Sequence, residues 1–190
     1  MNHIYIIHGW GDSPEGSWFP WLKQKLEKKG YTADILEMPN PDAPSIREWV
    51  SVLQHKIKPD PNTILVGHSV GCQTILRYLE TLPTNTKIRA VICVAGWFTL
   101  NADESFETEE DKEVAHEWLN KPIDFEKAKT HAQEFYYMGS DNDPYVPIEN
   151  ELTFKNKLGA ETLMLHNYGH IGGEDNVREL PEVLEIIEKL

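Results

Sequence analysis

Thr63-Ile64-Leu65-Val66-Gly67-His68-Ser69-Val70-Gly71-Cys72 is the stretch on which the fold turns. Thr63 to Val66 reads as a strand covered on both faces, and Gly67 to Gly71 as a sharp turn. Cys72 to Leu82 follows as a helix, with Ile75, Leu76 and Leu79 on one face before Pro83. A serine framed as GxSxG between strand and helix has the pattern of a nucleophile elbow. Its backbone is strained there, and strand and helix pass so close that small residues are needed on both sides. Such a turn also sets Ser69 at a helix N-terminus, where free N–H groups and the helix dipole favour developing negative charge. The N–H of Val70 is a candidate oxyanion donor.

Working towards the N-terminus, Ile4 to Ile7 is a short strand that stops at His8-Gly9-Trp10-Gly11-Asp12. The loop after a first strand supplies the second oxyanion donor in elbow enzymes, and the main-chain N–H of Trp10 fits that place. Trp18 to Lys29 has helical spacing at Phe19, Leu22 and Leu26, with Gly30 as a left-handed stop. Thr32 to Met38 reads as strand, and Ser45-x-x-Glu48 opens a helix with Trp49, Val52 and Leu53 inward.

Towards the C-terminus, Ile88 to Ala95 is strand, and Trp97 to Gln133 breaks the rhythm with helices expected near Glu109–Leu119 and Phe125–Ala132. This segment, 97–133, is a candidate lid within one domain spanning 1–190. Its run Asp103 to Glu113 holds seven acids and one Lys, and is expected to overhang the site and disfavour anionic substrates. Strand Glu134–Met138, loop Gly139–Pro147, helix Ile148–Leu158, strand Glu161–His166, loop Asn167–Gly173 and helix Val177–Leu190 complete the chain. Strands alternating with helices imply parallel pairing, since the helix supplies the crossover a parallel neighbour needs. The expected fold is α/β: six parallel strands with helices on both faces, three layers in all.

A serine hydroxyl attacks poorly until a base takes its proton, so the elbow calls for a His and an orienting acid on later strand-end loops. His170, in Tyr168-Gly169-His170, is in the right place; His166 sits at the strand end four residues earlier. The loop after the fifth strand offers Asp141 and Asp143. Proline at 144 bars Asp143 from the α region and limits its direction, whereas Asp141 with Asn142 reads as turn chemistry. The order Ser, Asp, His is that of α/β-hydrolases.

These motifs, with Tyr5-Ile-Ile-His-Gly, Trp18-Phe-Pro-Trp-Leu, Met38-Pro-Asn-Pro and Asp143-Pro-Tyr-Val-Pro, make nearly the whole chain resemble the small α/β-hydrolases typified by retinoblastoma-binding protein nine and its short bacterial relatives. The resemblance implies a minimal six-stranded α/β-hydrolase. In it Ser69 would be nucleophile, His170 base and Asp143 orienting acid, acting on a small-molecule ester or amide. The LxCxE sequence does not occur, so the retinoblastoma link is not implied. A protein-interaction module on the same fold is the alternative reading.

Composition bounds the rest. With 190 residues and 40% hydrophobic content, the chain can bury a core without staples. Its two cysteines, Cys72 and Cys93, make no metal or disulfide pattern, which fits a reducing, cytoplasmic setting. A formal charge of -13 disfavours nucleic acid and anionic membranes. The longest near-apolar run, Ala90 to Phe98, is too short to cross a bilayer. No cofactor is expected, because GxGxxG after strand one, GxxxxGK[ST] and HExxH are all absent. His166 and His170 have HxxxH spacing, but on a loop rather than a helix, so no metal is expected.

Overall fold

The computed structural model describes residues 2–101 and 108–190. Six parallel strands form one sheet in the order β2-β1-β3-β4-β5-β6. They are β1 (His3–Ile7), β2 (Thr32–Leu36), β3 (Thr63–His68), β4 (Ile88–Val94), β5 (Ala132–Ser140) and β6 (Glu161–Leu165). The helices are α1 (Phe19–Lys28), α2 (Ile46–Lys56), α3 (Val70–Leu79), α4 (Glu109–Asn120), α5 (Phe125–Thr130), α6 (Asn150–Thr153) and α7 (Pro181–Lys189). A π-helical turn, Phe154–Leu158, continues α6 and ends at Gly159 in the left-handed region.

The two-residue period of the strands sorts the core into two layers. Ile4, Ile6, Ile64, Val66, Ala90, Ile92 and Val94 face α1 and α7, meeting Phe19, Leu22, Leu26, Val183 and Ile187. Tyr5, Ile7, Leu65, Val91 and Cys93 face the other way, onto Trp49, Leu53, Ile75, Leu76 and Phe154. Removing large side chains such as these from water, at roughly 25 cal/mol per Å² of apolar surface, is the main term holding the layers together.

Several boundaries differ from the sequence reading. The last helix starts at Pro181 rather than Val177, because proline suits a first helical turn while forcing Leu180 out of the α region. Strand β5 runs on through Gly139 and Ser140, which pair with Met164 and Leu165 of β6, and a side chain on Gly139 would press on Met164 and Tyr137. In α2 the buried position is Val50, with Val52 only partly covered. Helix α3 begins at Val70, two residues early, directly behind Ser69.

Part of the candidate lid, residues 102–107, lies outside the described residues, and with it Asp103, Glu104 and Glu107. The rest is pinned to the body. The Trp118 indole donates to the Pro44 carbonyl, and the Ile46 N–H donates to Glu117. Thr108 and Asp111 close a capping box, and Glu109 pairs with Lys112. Among the described residues, no helix is long and apolar enough to cross a membrane.

Candidate active site

Strand order reverses between β1 and β3, whose carboxyl ends diverge into loops, and a crevice at such a switch point is where open α/β sheets bind ligands. Ser69 stands there with φ 52° and ψ -123°, a strained conformation for a residue with a side chain. Close packing makes that strain affordable only with glycine neighbours. A Cβ on Gly67 would come within 2.8 Å of the Cys72 amide nitrogen, and one on Gly71 within 2.6 Å of the Ile7 carbonyl oxygen. A third glycine, Gly9, has the same role: its Cβ would lie 3.1 Å from that of Ser69. The Ser69 N–H donates to the Val94 carbonyl at 2.9 Å, tying the turn to β4.

The hydroxyl of Ser69 lies 2.9 Å from His170 Nε2, and His170 Nδ1 lies 2.8 Å from Asp143 Oδ2. The carboxylate fixes the tautomer: Nδ1–H donates to Asp143, which leaves Nε2 to accept the serine proton. Both side chains are dry, 10% exposed for His170 and 2% for Asp143. The other oxygen of Asp143 accepts the N–H groups of Tyr145 and Val146, at 2.9 and 3.0 Å. Here the structure departs from the sequence reading. Local turn capping falls to Asp143, while Asp141 reaches across to the next loop and binds the Asn167 N–H and His166.

The His170 loop is fastened from several sides that the sequence did not reveal. Asp175 accepts the N–H of His170 at 2.8 Å, and Trp18 donates its indole N–H to the Ile171 carbonyl at 3.0 Å. His68 donates from Nε2 to the His170 carbonyl at 2.9 Å, which leaves its buried Nδ1 without a partner. Burial, with the neighbouring His170 charge second, pushes the His68 imidazole down to about 4, so it is neutral at physiological pH. His68 occupies the first x of GxSxG, a position next to the serine that could have drawn notice. Asp175 carried no such signal. Trp97 also touches the site, its indole Nε1–H 3.3 Å from Ser69 Oγ.

A cavity of about 390 Å³ opens beside Ser69, lined by Trp10, Ser17, His68, His170, Gly172 and Arg178 among others. Its walls come from the loops after β1 and β6, and no residue of the described part of 97–133 lines it. Trp10 is anchored by its own indole, which donates to the Asp42 carbonyl at 2.9 Å. Its main-chain N–H has no protein acceptor among the described residues. Val70 is the first residue of α3, where an N–H has no partner within the helix. Among the described residues, no group of three His, Cys, Asp or Glu side chains is gathered to hold a metal.

Comparison with known proteins agrees with this architecture. The model of the family described as "Serine hydrolase" matches residues 4–189. YdeN of Bacillus subtilis (strain 168) is 32% identical over 98% of this chain and 94% of its own length. Serine hydrolase RBBP9 of Rattus norvegicus is 24% identical over 96% of this chain and 91% of its own length. The crystal structure of the ydeN gene product from B. subtilis superposes with a TM-score of 0.88 at 30% identity, covering 100% of this chain and 98% of that one.

Proposed function

Because this chain belongs to the serine hydrolase family and has the α/β-hydrolase fold, we propose that it cleaves a carboxylic ester or amide through an acyl-enzyme on Ser69. The observation that carries this reading is the continuous path from Ser69 Oγ through the His170 ring to Asp143, at 2.9 and 2.8 Å, set on a strained elbow at the edge of a cavity. In acylation Ser69 Oγ bonds to the carbonyl carbon while its proton passes to His170 Nε2. Asp143 holds the imidazolium. The N–H groups of Trp10 and Val70 receive the oxyanion, at the positive end of α3. His170 then returns the proton to the leaving alcohol or amine, and water cleaves the acyl-enzyme by the same steps. The chemistry uses only these side chains and a water molecule, and calls for no cofactor.

The test is covalent. A fluorophosphonate should add once to the wild-type chain, seen by intact mass, because only an activated serine reacts quickly. Ser69→Ala should abolish the adduct and lower hydrolysis of a short ester by about 10³-fold or more, with the thermal transition preserved. Unchanged turnover in Ser69→Ala would overturn the reading and leave the fold serving as an interaction module.

A further inference from the structure

The chain has six tryptophans, and an indole N–H donates but never accepts. Buried indoles usually find a partner. Those of Trp10, Trp18, Trp49 and Trp118 donate to the main-chain carbonyls of Asp42, Ile171, Pro39 and Pro44. The Trp21 indole nitrogen is buried without a hydrogen-bond partner. Trp97 differs from all five: it is 2% exposed, and its indole N–H is directed at the Ser69 hydroxyl oxygen, 3.3 Å away.

That placement is fixed by its surroundings. After β4 the chain turns sharply at Ala95, with φ 48°, and at Gly96, where a Cβ would lie 2.8 Å from Phe154 and 2.9 Å from Cys72 Cβ. Two buried amide side chains hold the next three residues in place. Gln73 donates to the Trp97 carbonyl at 3.0 Å, and Asn150 accepts the N–H groups of Phe98 and Thr99 at 2.7 and 3.1 Å. Gln73 is in turn held by Arg77, a buried guanidinium that also donates to the Trp118 and Lys121 carbonyls at the end of α4. The indole therefore reaches Ser69 from a backbone that is tied on both sides.

We propose, resting on the reading of Ser69 as nucleophile, that Trp97 is a further catalytic residue whose indole N–H stabilises negative charge on Ser69 Oγ. That charge grows twice in each turnover. In acylation an Oγ electron pair forms the bond to the carbonyl carbon as the Oγ proton leaves for His170 Nε2. In deacylation water bonds to the acyl carbon, giving its proton to His170; the C–Oγ bond then breaks with its pair left on Oγ, which takes the proton back. Trp97 transfers no proton at either stage. Its hydrogen bond strengthens as the acceptor gains charge and weakens again while Oγ is esterified, so it favours the transition states over the ground states on either side. The hydroxyl keeps one lone pair for attack, since its proton points to His170 and Trp97 occupies only one acceptor position.

The experiment pairs rate with spectrum. Trp97→Phe, and the chain carrying 3-benzothienylalanine at 97, which replaces the N–H by sulfur and keeps the shape, are compared with wild type for the second-order rate of fluorophosphonate labelling. A hydrogen bond that about doubles in strength on charging its acceptor is worth about a tenfold rate, so both variants should label about 10-fold more slowly with unaltered thermal transitions. If Trp97→Phe unfolds, the benzothienyl chain carries the measurement. In ¹⁵N-tryptophan-labelled protein the indole signal missing from Trp97→Phe should move in Ser69→Ala, which tests the hydrogen bond itself, while the labelling rate, which a purely structural tryptophan would not change in the isosteric benzothienyl chain, tests its catalytic role. Labelling of the benzothienyl chain within about threefold of wild type overturns the proposal, as does an indole signal that stays in place. Failure of the wild-type chain to label overturns the nucleophile reading and this role with it. A labelled wild type with unaffected variants overturns the role alone.

Discussion

Two histidine–aspartate pairs bridge the same two loops, and they have little in common beyond that contact. His170 Nδ1 meets Asp143 at 2.8 Å with side chains 10% and 2% exposed; His166 Nδ1 meets Asp141 at 2.6 Å with side chains 80% and 39% exposed. The shorter contact is the less consequential one. In water an ion pair competes with solvent and salt, and its net worth is small. The inner pair is flanked by Tyr145, whose ring stands at right angles to that of His170, and by the tilted His68 ring; its aspartate has two backbone N–H donors besides, and its far nitrogen meets Ser69. Dryness and a third partner set the inner imidazole apart from the surface tie. The Asp141 carboxyl is held below its usual range by the Asn167 N–H first and His166 second, the signature of a loop clasp.

The widest gap between the pairs should appear in turnover. Asp143→Asn is expected to lower kcat by about 10³- to 10⁴-fold, since an amide no longer fixes the His170 tautomer or balances the imidazolium. The measurement is hydrolysis of one short ester by variants of equal thermal stability. Next comes the stability of the dry side. Unfolded, His68 takes its proton near the ordinary 6.5, but folded only near 4. Between those values the unfolded state binds more protons. The contribution of His68 is therefore full above about pH 6.5, falls as pH drops through the window and is gone by about 4, a loss on the order of 3 kcal/mol. Urea unfolding of His68→Gln at pH 7 and 4.5 should show a shallower fall than wild type; parallel falls would mean that His68 does not carry it.

Smaller effects should attend the outer pair. Asp141→Asn is expected to cost under about 10-fold in kcat, through loosening of the loop that also carries His170. A greater loss than in Asp143→Asn would reverse the assignment of the acid. Smallest of all is the acidic segment. Glu109→Gln with Glu110→Gln should alter kcat/KM for a carboxylate-bearing ester by under about twofold at 0.15 M salt, because these residues line no wall of the Ser69 cavity and a Debye length of about 8 Å screens them. A large gain confined to the charged ester, lost at high salt, would instead place the segment over the mouth.

The alternation of strand and helix, the parallel sheet and the elbow at Ser69 were legible because each is written in local pattern: β-branched runs, helical spacing, and glycines where no Cβ fits. The same logic named the two loops that bring His170 and Asp143 together, although the turn capping it gave to Asp141 belongs to Asp143. Boundaries slipped where pairing or a proline outvoted periodicity, as at β5 and at Pro181. What tertiary structure alone decided are the contacts across the chain. The His68 donor to the His170 carbonyl, the Asp175 clasp, and the Trp97 indole on Ser69 join residues that no local spacing brings together. Sequence specifies which groups each loop carries; only the packed sheet, by bringing the carboxyl ends of β3, β4, β5 and β6 together and excluding water from some and not others, determines which of those groups meet.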